Sequence, residues 1–250
     1  MNEFATVWED FELPSKGLVY EKPINPKVSL RSMTTMEEMK RLSPTDTPYK
    51  VTSDLIEACM KEKPDIHVFE MCVGDYQFLL HKLRTVTYGS DYRMTFVCPD
   101  CGEQNEVVAN LETLKVNEYN DSISKDMIIT LPVSGQLIEL KFQTPRDLDI
   151  IAYRDKEMRK KTKIPMDYSM LFTLMSLIRK VDGVKLNDES LEEYVKNMAA
   201  KDAIYILNKS KELNSKVGLD NKLSVKCLHC GYELETTFRQ TSEFFRPTIY

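Results

Sequence analysis

Apolar residues recur along this chain in two rhythms, and each predicts its own element. Phe69, Cys72, Tyr76, Leu79, Leu80 and Leu83 fall every three or four positions, the spacing of one face of a helix. That helix is read as starting near Asp65, with Asp75 as a fresh cap partway along. Val28-Ser29-Leu30-Arg31 and Ile138-Glu139-Leu140-Lys141 alternate instead, as half-buried strands do. Residues 92–97 and 106–109 read as the arms of one hairpin, and Lys222–Lys226 with 234–239 as those of a second.

Punctuation predicts where the helices begin and end. Thr34 with Glu37, and Thr144 with Asp147, have the spacing of a capping box. Helices are expected from Thr34 to about Leu42, stopping before Pro44, and over 51–61, stopping before Pro64. Further helices are expected over about 145–159, 167–179, 190–198 and 202–213. Leu13-Pro14-Ser15-Lys16-Gly17 is a turn signal, because proline presets φ and glycine accepts a positive one. Phe4, Trp8, Phe11 and Tyr20 lie around it. They are expected to pack back on the chain's own core rather than to serve as a docking arm.

The order of elements then repeats: strand, capped helix, further helices, a helix led by Asp, Gly-x-Asp, and a hairpin bearing CxxCG. Val28 corresponds to Ile138, Asp75 to Asp202 and Cys98 to Cys227. The offset widens where the second half carries the basic run 156–163 and the turn 181–188. Across 88–102 and 217–231 the copies share Gly89/Gly218, Asp91/Asp220, both cysteines and the glycine after them. The fold class expected is α+β, mainly helical, made of two related halves that arose by internal duplication. The division expected is an N-terminal arm 1–25, a first helical repeat 26–112, a polar linker 113–125, a second helical repeat 126–241 and an aromatic tail 242–250. Phe244 and Phe245 in the tail are expected to pack on the second hairpin, or else to insert into a partner.

Composition narrows the class. With 42% hydrophobic residues over 250 positions the chain can bury a core, which excludes wholesale disorder. Its 34 Lys+Arg against 39 Asp+Glu leave a net charge of −5, which argues against a broad electrostatic grip on nucleic acid. The opening residues lack the basic start and apolar run of a signal peptide. The apolar-rich stretch 168–178 is far short of the ~20 residues that cross a bilayer. The expectation is a cytoplasmic protein with no membrane partner.

In a reducing compartment, paired cysteines read as metal ligands before they read as redox groups. Cys59 and Cys72 fall in the expected helices and read as small buried apolar residues. The other four form two CxxCG pairs, Cys98/Cys101 and Cys227/Cys230. Zn²⁺ takes four tetrahedral ligands, so one pair is half a site and two pairs are a whole one. The glycine after each pair allows positive φ and a close backbone approach to sulfur. The expectation is a Cys₄ zinc ribbon made of two hairpins, one structural Zn²⁺ clasping the halves together. Four thiolates leave the metal no open position for water or substrate.

Rival readings fit less well. A redox CxxC sits where a strand meets a helix N-terminus, whereas strands flank both pairs here. Two separate metal sites would draw on His67, His81 and His229, the full complement of histidines. His229 lies inside its own CxxC turn and is expected to face solvent. Disulfides match the count and contradict the compartment. No P-loop, dinucleotide, nucleophile-elbow or HExxH motif occurs, so no enzyme is expected. Arg154, Arg159, Lys160, Lys161 and Lys163 support the alternative of a zinc-ribbon nucleic-acid-binding or transcription-associated protein. The cluster lacks interleaved aromatics for base stacking and equally suits a solvated helix C-terminus.

A family resemblance runs through these residues. Leu13-Pro14-Ser15-Lys16-Gly17 with Tyr20, followed by Val28-x-Leu30-Arg31-x-Met33-Thr34-x-x-Glu37, resembles the start of the T-even-type phage baseplate hub assembly proteins. Asp75, Leu79-Leu80, Leu83-Arg84, Thr87-Tyr88-Gly89 and Cys98-Pro99-x-Cys101-Gly102 are similar to a CxxC-bearing branch of that group. The resemblance covers most of the first half. It is looser in the second, where the closing CxxCG and the Phe-Phe-Arg-Pro tail recur. It implies a non-enzymatic protein of baseplate assembly, a chaperone for hub proteins or a minor hub component. It further implies other baseplate and tail proteins as partners, the host cytoplasm or the virion baseplate as location, and no catalytic residues.

Overall fold

The structure, a computed structural model, describes residues 7–162, 166–237 and 242–245. Phe4 and Lys163 lie outside the described residues, as do the first and last residues of the chain. Strand β1 (Glu9–Glu12) pairs antiparallel with β2 (Lys27–Leu30), setting Phe11 opposite Val28. Phe11 meets Phe78 edge to face and the Tyr20 hydroxyl donates to buried Asp75. These two aromatics pack on the chain's own core, as expected.

Helix α1 (Thr35–Arg41) carries the expected capping box between Thr34 and Glu37. Helix α2 (Pro48–Ala58) starts earlier than expected because Pro48 occupies its first turn, where a missing N–H costs nothing. A 3-10 turn, Val68–Glu70, precedes α3 (Val73–Tyr88). The helix expected from near Asp65 therefore begins at Val73. Met71 and Cys72 are extended there, and the Val73 N–H donates to Gln143 O at 2.8 Å instead of to a preceding turn. Asp75 belongs to the first turn of α3 and is not a mid-helix cap. Cys59 and Cys72 are buried, as expected, but at helix boundaries rather than inside helices.

The first hairpin is β3 (Asp91–Val97) with β4 (Gln104–Asn110). The stretch expected as polar linker instead holds β5 (Val116–Asn117) and α4 (Ser122–Asp126), and Ile123 is fully buried. One apolar residue in so short a helix leaves no period to read. Next come β6 (Ile128–Thr130), β7 (Leu137–Leu140), α5 (Pro145–Lys161), α6 (Tyr168–Leu177) and β8 (Ile178–Val181). The strands form a sheet of order β6-β7-β8, both pairs antiparallel. Helix α6 stops at Leu177, short of the expected Arg179, because Ile178 onward is drawn into that sheet. Helices α7 (Asp188–Asn197) and α8 (Ala200–Asn214) follow. Strand β9 (Gly218–Leu219) pairs with β5, and β10 (Lys222–Lys226) forms the second hairpin with β11 (Glu233–Thr237).

The fold is mixed α/β, eight helices and several small sheets among the described residues. Two hydrophobic cores underlie it. One gathers Leu13, Leu30, Ile56, Leu79, Leu83 and Leu111, and also takes Leu223, Phe244 and Phe245 from the far end of the chain. The other gathers Ile123, Ile138, Leu140, Leu177, Ile206 and Val217, and takes Cys72 from the first half. Phe244 is fully buried, stacked on His81 and tilted against Tyr92, and its carbonyl accepts from Arg84 Nε. Arg41 lies 4.7 Å over the Phe245 ring. Phe244 and Phe245 therefore pack on α3, α1 and β3, in a core that also takes Leu223 from the second hairpin. The reason is burial: β11 alternates between exposed and half-buried positions, whereas α3 offers a deep seat.

Several details occur once in each half. Asp75 and Asp202 are fully buried in the first turns of α3 and α8. Asp75 accepts from the Ser15 N–H at 2.9 Å, and Asp202 from the N–H groups of Val133 and Ser134 at 2.8 and 3.0 Å. Each carboxylate holds a Leu-Pro-x-x-Gly turn, 13–17 or 131–135. Thr144 and Asp147 repeat the capping box. The Arg31–Glu37 pair at 2.8 Å has its counterpart in Lys141–Asp147 at 3.6 Å.

Candidate metal centre

The two CxxCG segments fold into the same knuckle. In the first, Gly102 N–H donates to Cys98 O at 2.9 Å and Cys98 N–H to Glu103 O at 2.9 Å. In the second, Gly231 N–H donates to Cys227 O at 3.0 Å and Cys227 N–H to Tyr232 O at 2.8 Å. Gly102 and Gly231 have φ of 75° and 78°, a region that penalises side chains. A Cβ on Gly102 would meet nothing within 4 Å. Backbone conformation, not the expected close approach, is what calls for glycine there.

The hairpins abut, with β10 beside β4, and the four thiols converge. All four Sγ atoms lie within 4.8 Å of one another. Cys98 Sγ is 3.6 Å from Cys230 Sγ, and Cys101 Sγ is 3.7 Å from Cys227 Sγ. A tetrahedral metal with bonds of about 2.3 Å sets its sulfurs about 3.8 Å apart, so the donor set fits one ion. Among the described residues this is the one group of three or more His, Cys, Asp or Glu side chains that converges so closely. Cys98 and Cys227 are buried, and Cys101 and Cys230 are exposed. Hydrogen bonds from the N–H groups of Cys230 and His229 and from the Asn105 amide pull the Cys227 thiol down to about 6, against burial. The thiolate is the ligating form.

Strands flank both pairs along the chain, so neither pair opens a helix. The histidines stand apart. His67 pairs with Asp54 and Glu57, His81 is buried under Phe244, and His229 is exposed in its knuckle. The basic run is largely neutralised: Lys156 pairs with Asp46, Arg159 with Asp155 and Lys160 with Glu157. Among the described residues no helix is long and apolar enough to cross a membrane.

Pattern reading missed Asn105. It is 1% exposed and occupies an inward position of β4. Its Nδ2 donates to Glu103 O at 3.0 Å and to Cys227 Sγ at 3.4 Å, and its Oδ1 accepts from Leu228 N–H at 2.8 Å. The available signal was an asparagine, poorly suited to strands, in register with apolar neighbours next to a CxxCG.

A family model described as T4 bacteriophage base plate protein matches residues 10–246. No curated protein and no solved structure matches the chain.

Proposed function

The chain belongs to the T4 bacteriophage base plate protein family, and from that membership we propose that it is a non-enzymatic assembly protein of the contractile tail. Its role is that of a chaperone for the baseplate hub or of a minor hub component, with one structural zinc held by Cys98, Cys101, Cys227 and Cys230. The observation that carries the reading is the extent of the match, residues 10–246, which takes in both knuckles. Zinc is the preferred ion because it has no redox chemistry and four thiolates complete its shell. Such a site supplies folding energy and leaves nothing for substrate.

The features that occur twice support descent from a duplicated unit, repeat 26–112 and repeat 126–241 joined through 113–125. The zinc ribbon then fastens the end of one repeat to the end of the other. The host cytoplasm, where thiols stay reduced, is the place of assembly, with the virion baseplate as the second location. A net charge of −5 and a basic run already paired with carboxylates favour protein partners over nucleic acid.

Co-expression of the tagged chain with other tail and baseplate proteins tests the assembly role. Specific co-purification of a hub protein is expected. Failure to retain any tail protein, together with salt-dependent retardation of DNA or RNA, would instead favour the nucleic-acid reading. Metal analysis tests the site: one zinc per chain, lost in Cys227→Ser. Metal-free wild-type protein purified without chelator would remove the zinc.

A further inference from the structure

We propose that Asn105 is the positioning residue of the four-thiol site: from the first hairpin it fixes Cys227 on the second knuckle and makes the two knuckles chemically unequal. The inference rests on the metal reading above.

A buried carboxamide is costly unless its donors and acceptor are used, and this one is fully engaged. One N–H ties it to its own knuckle at Glu103 O, the other reaches Cys227 Sγ, and the oxygen takes the Leu228 N–H. The orientation is dictated by its neighbours, since a flipped amide would set NH₂ against the Leu228 N–H. Asn105 thus joins the two hairpins by contacts on both sides of Cys227, at the sulfur and at the next peptide. The bond to sulfur withdraws charge from the thiolate and fixes its direction, as outer-shell partners of metal ligands do.

The second knuckle has no counterpart. Counting from the first cysteine of each pair, the position of Asn105 corresponds to Leu234, which has no polar side-chain atom to offer Cys98. Two knuckles of matching backbone therefore carry unequal sulfurs, with Cys227 the tuned one. A bare tetrahedron of thiols does not require this asymmetry, and a hairpin core does not require a buried amide.

The test compares wild type, Asn105→Ala and Asn105→Asp as full-length protein. Metal affinity is read by competition with a chromophoric chelator, and Co²⁺ substitution gives the thiolate-to-metal charge-transfer band. Loss of an outer-shell partner should weaken metal binding by roughly 10–100-fold in Asn105→Ala, and the Co²⁺ band should move to lower energy as Cys227 regains charge. Asn105→Asp keeps the shape and the acceptor for Leu228 N–H but sets a carboxylate beside the sulfur. It should also weaken binding, and it serves as the variant to read if the alanine form does not fold. Variants that bind as tightly as wild type with an unmoved band would overturn the positioning role. Wild type that binds neither Zn²⁺ nor Co²⁺ would overturn the metal site itself, a distinguishable result.

Discussion

At the scale of single residues, the balance of burial against hydrogen bonding decides what each polar group does. Asp75 and Asp202 hold equivalent turns, yet their carboxyls move in opposite directions. Burial pushes Asp75 up despite hydrogen bonds from Ser15 and Tyr20. The N–H groups of Val133 and Ser134 outweigh burial and bring Asp202 down. His81 yields a measurable consequence. Burial, helped by the Lys82 charge, lowers it from 6.5 to about 4, and its Nε2 faces Leu111 O at 3.1 Å. The folded state therefore holds the neutral ring while the unfolded chain takes up a proton between those values. This contribution is complete above pH 6.5 and is lost as pH falls toward 4. At 1.36 kcal/mol per pKa unit it amounts to roughly 3 kcal/mol. Denaturant midpoints followed from pH 7 to 4 should fall less steeply in His81→Gln than in wild type. Acid release of the proposed metal would affect both proteins, so parallel curves would remove the assignment to His81. This histidine was legible in the sequence only as one of the spare ones, because nothing near it in the chain announces Phe244 as its cover.

At the scale of elements, local signals place most boundaries and long-range contacts move the rest. Both capping boxes form where the Thr-x-x-acid spacing put them, since a cap needs only its own first turn. The N-terminus of α2 obeys a different rule. Thr47 makes no cap, and the N–H groups of Tyr49 and Lys50 donate to Asp149 of α5 at 3.3 and 2.9 Å. No spacing rule connects residues that far apart. The start of α3 also answers to a distant element. A Cβ on Gly74 would lie 2.4 Å from Val217 O, just before β9. Glycine inside a helix ordinarily costs up to about 1 kcal/mol relative to alanine, so Gly74→Ala would stabilise an isolated helix. Here the sign reverses, and the variant should unfold at lower denaturant concentration than wild type. An unchanged or raised midpoint would show that α3 and β9 are not pressed together.

At the scale of the whole molecule, the two halves are interlocked rather than merely adjacent. The thiol cluster joins their ends, Leu223 of β10 enters the first core, and Phe244 returns to α3. Truncating Phe244 to alanine should cost about 3–5 kcal/mol, the usual penalty for a buried phenylalanine. It would also uncover the stacked face of His81 and the Arg84 guanidinium, whose Cζ lies 5.9 Å from the centre of the Phe244 ring. The loss should appear in full-length Phe244→Ala as a lower denaturation midpoint even in the presence of added zinc. A midpoint equal to that of wild type would mean that the tail decorates the surface. Structural zinc in small sites contributes on the order of 10 kcal/mol or more, so the proposed zinc would make the clasp the larger of the two fastenings.

Short-range patterns in the sequence were enough for the two cysteine hairpins, the two capping boxes and the paired knuckles. Those features depend on residues two to four positions apart, and alternation, helical spacing, Thr-x-x-acid and CxxCG record such short relations directly. The tertiary structure alone decided that four sulfurs from opposite ends of the chain meet within 4.8 Å. It also decided that Asn105 reaches across to Cys227, that Asp149 caps a helix of the other half, and that the aromatic tail seats on α3. Each of these joins residues too far apart for a local rule to connect. Which distant groups meet is settled by the packing of two cores against the entropy of closing long loops, a balance struck by the folded chain as a whole.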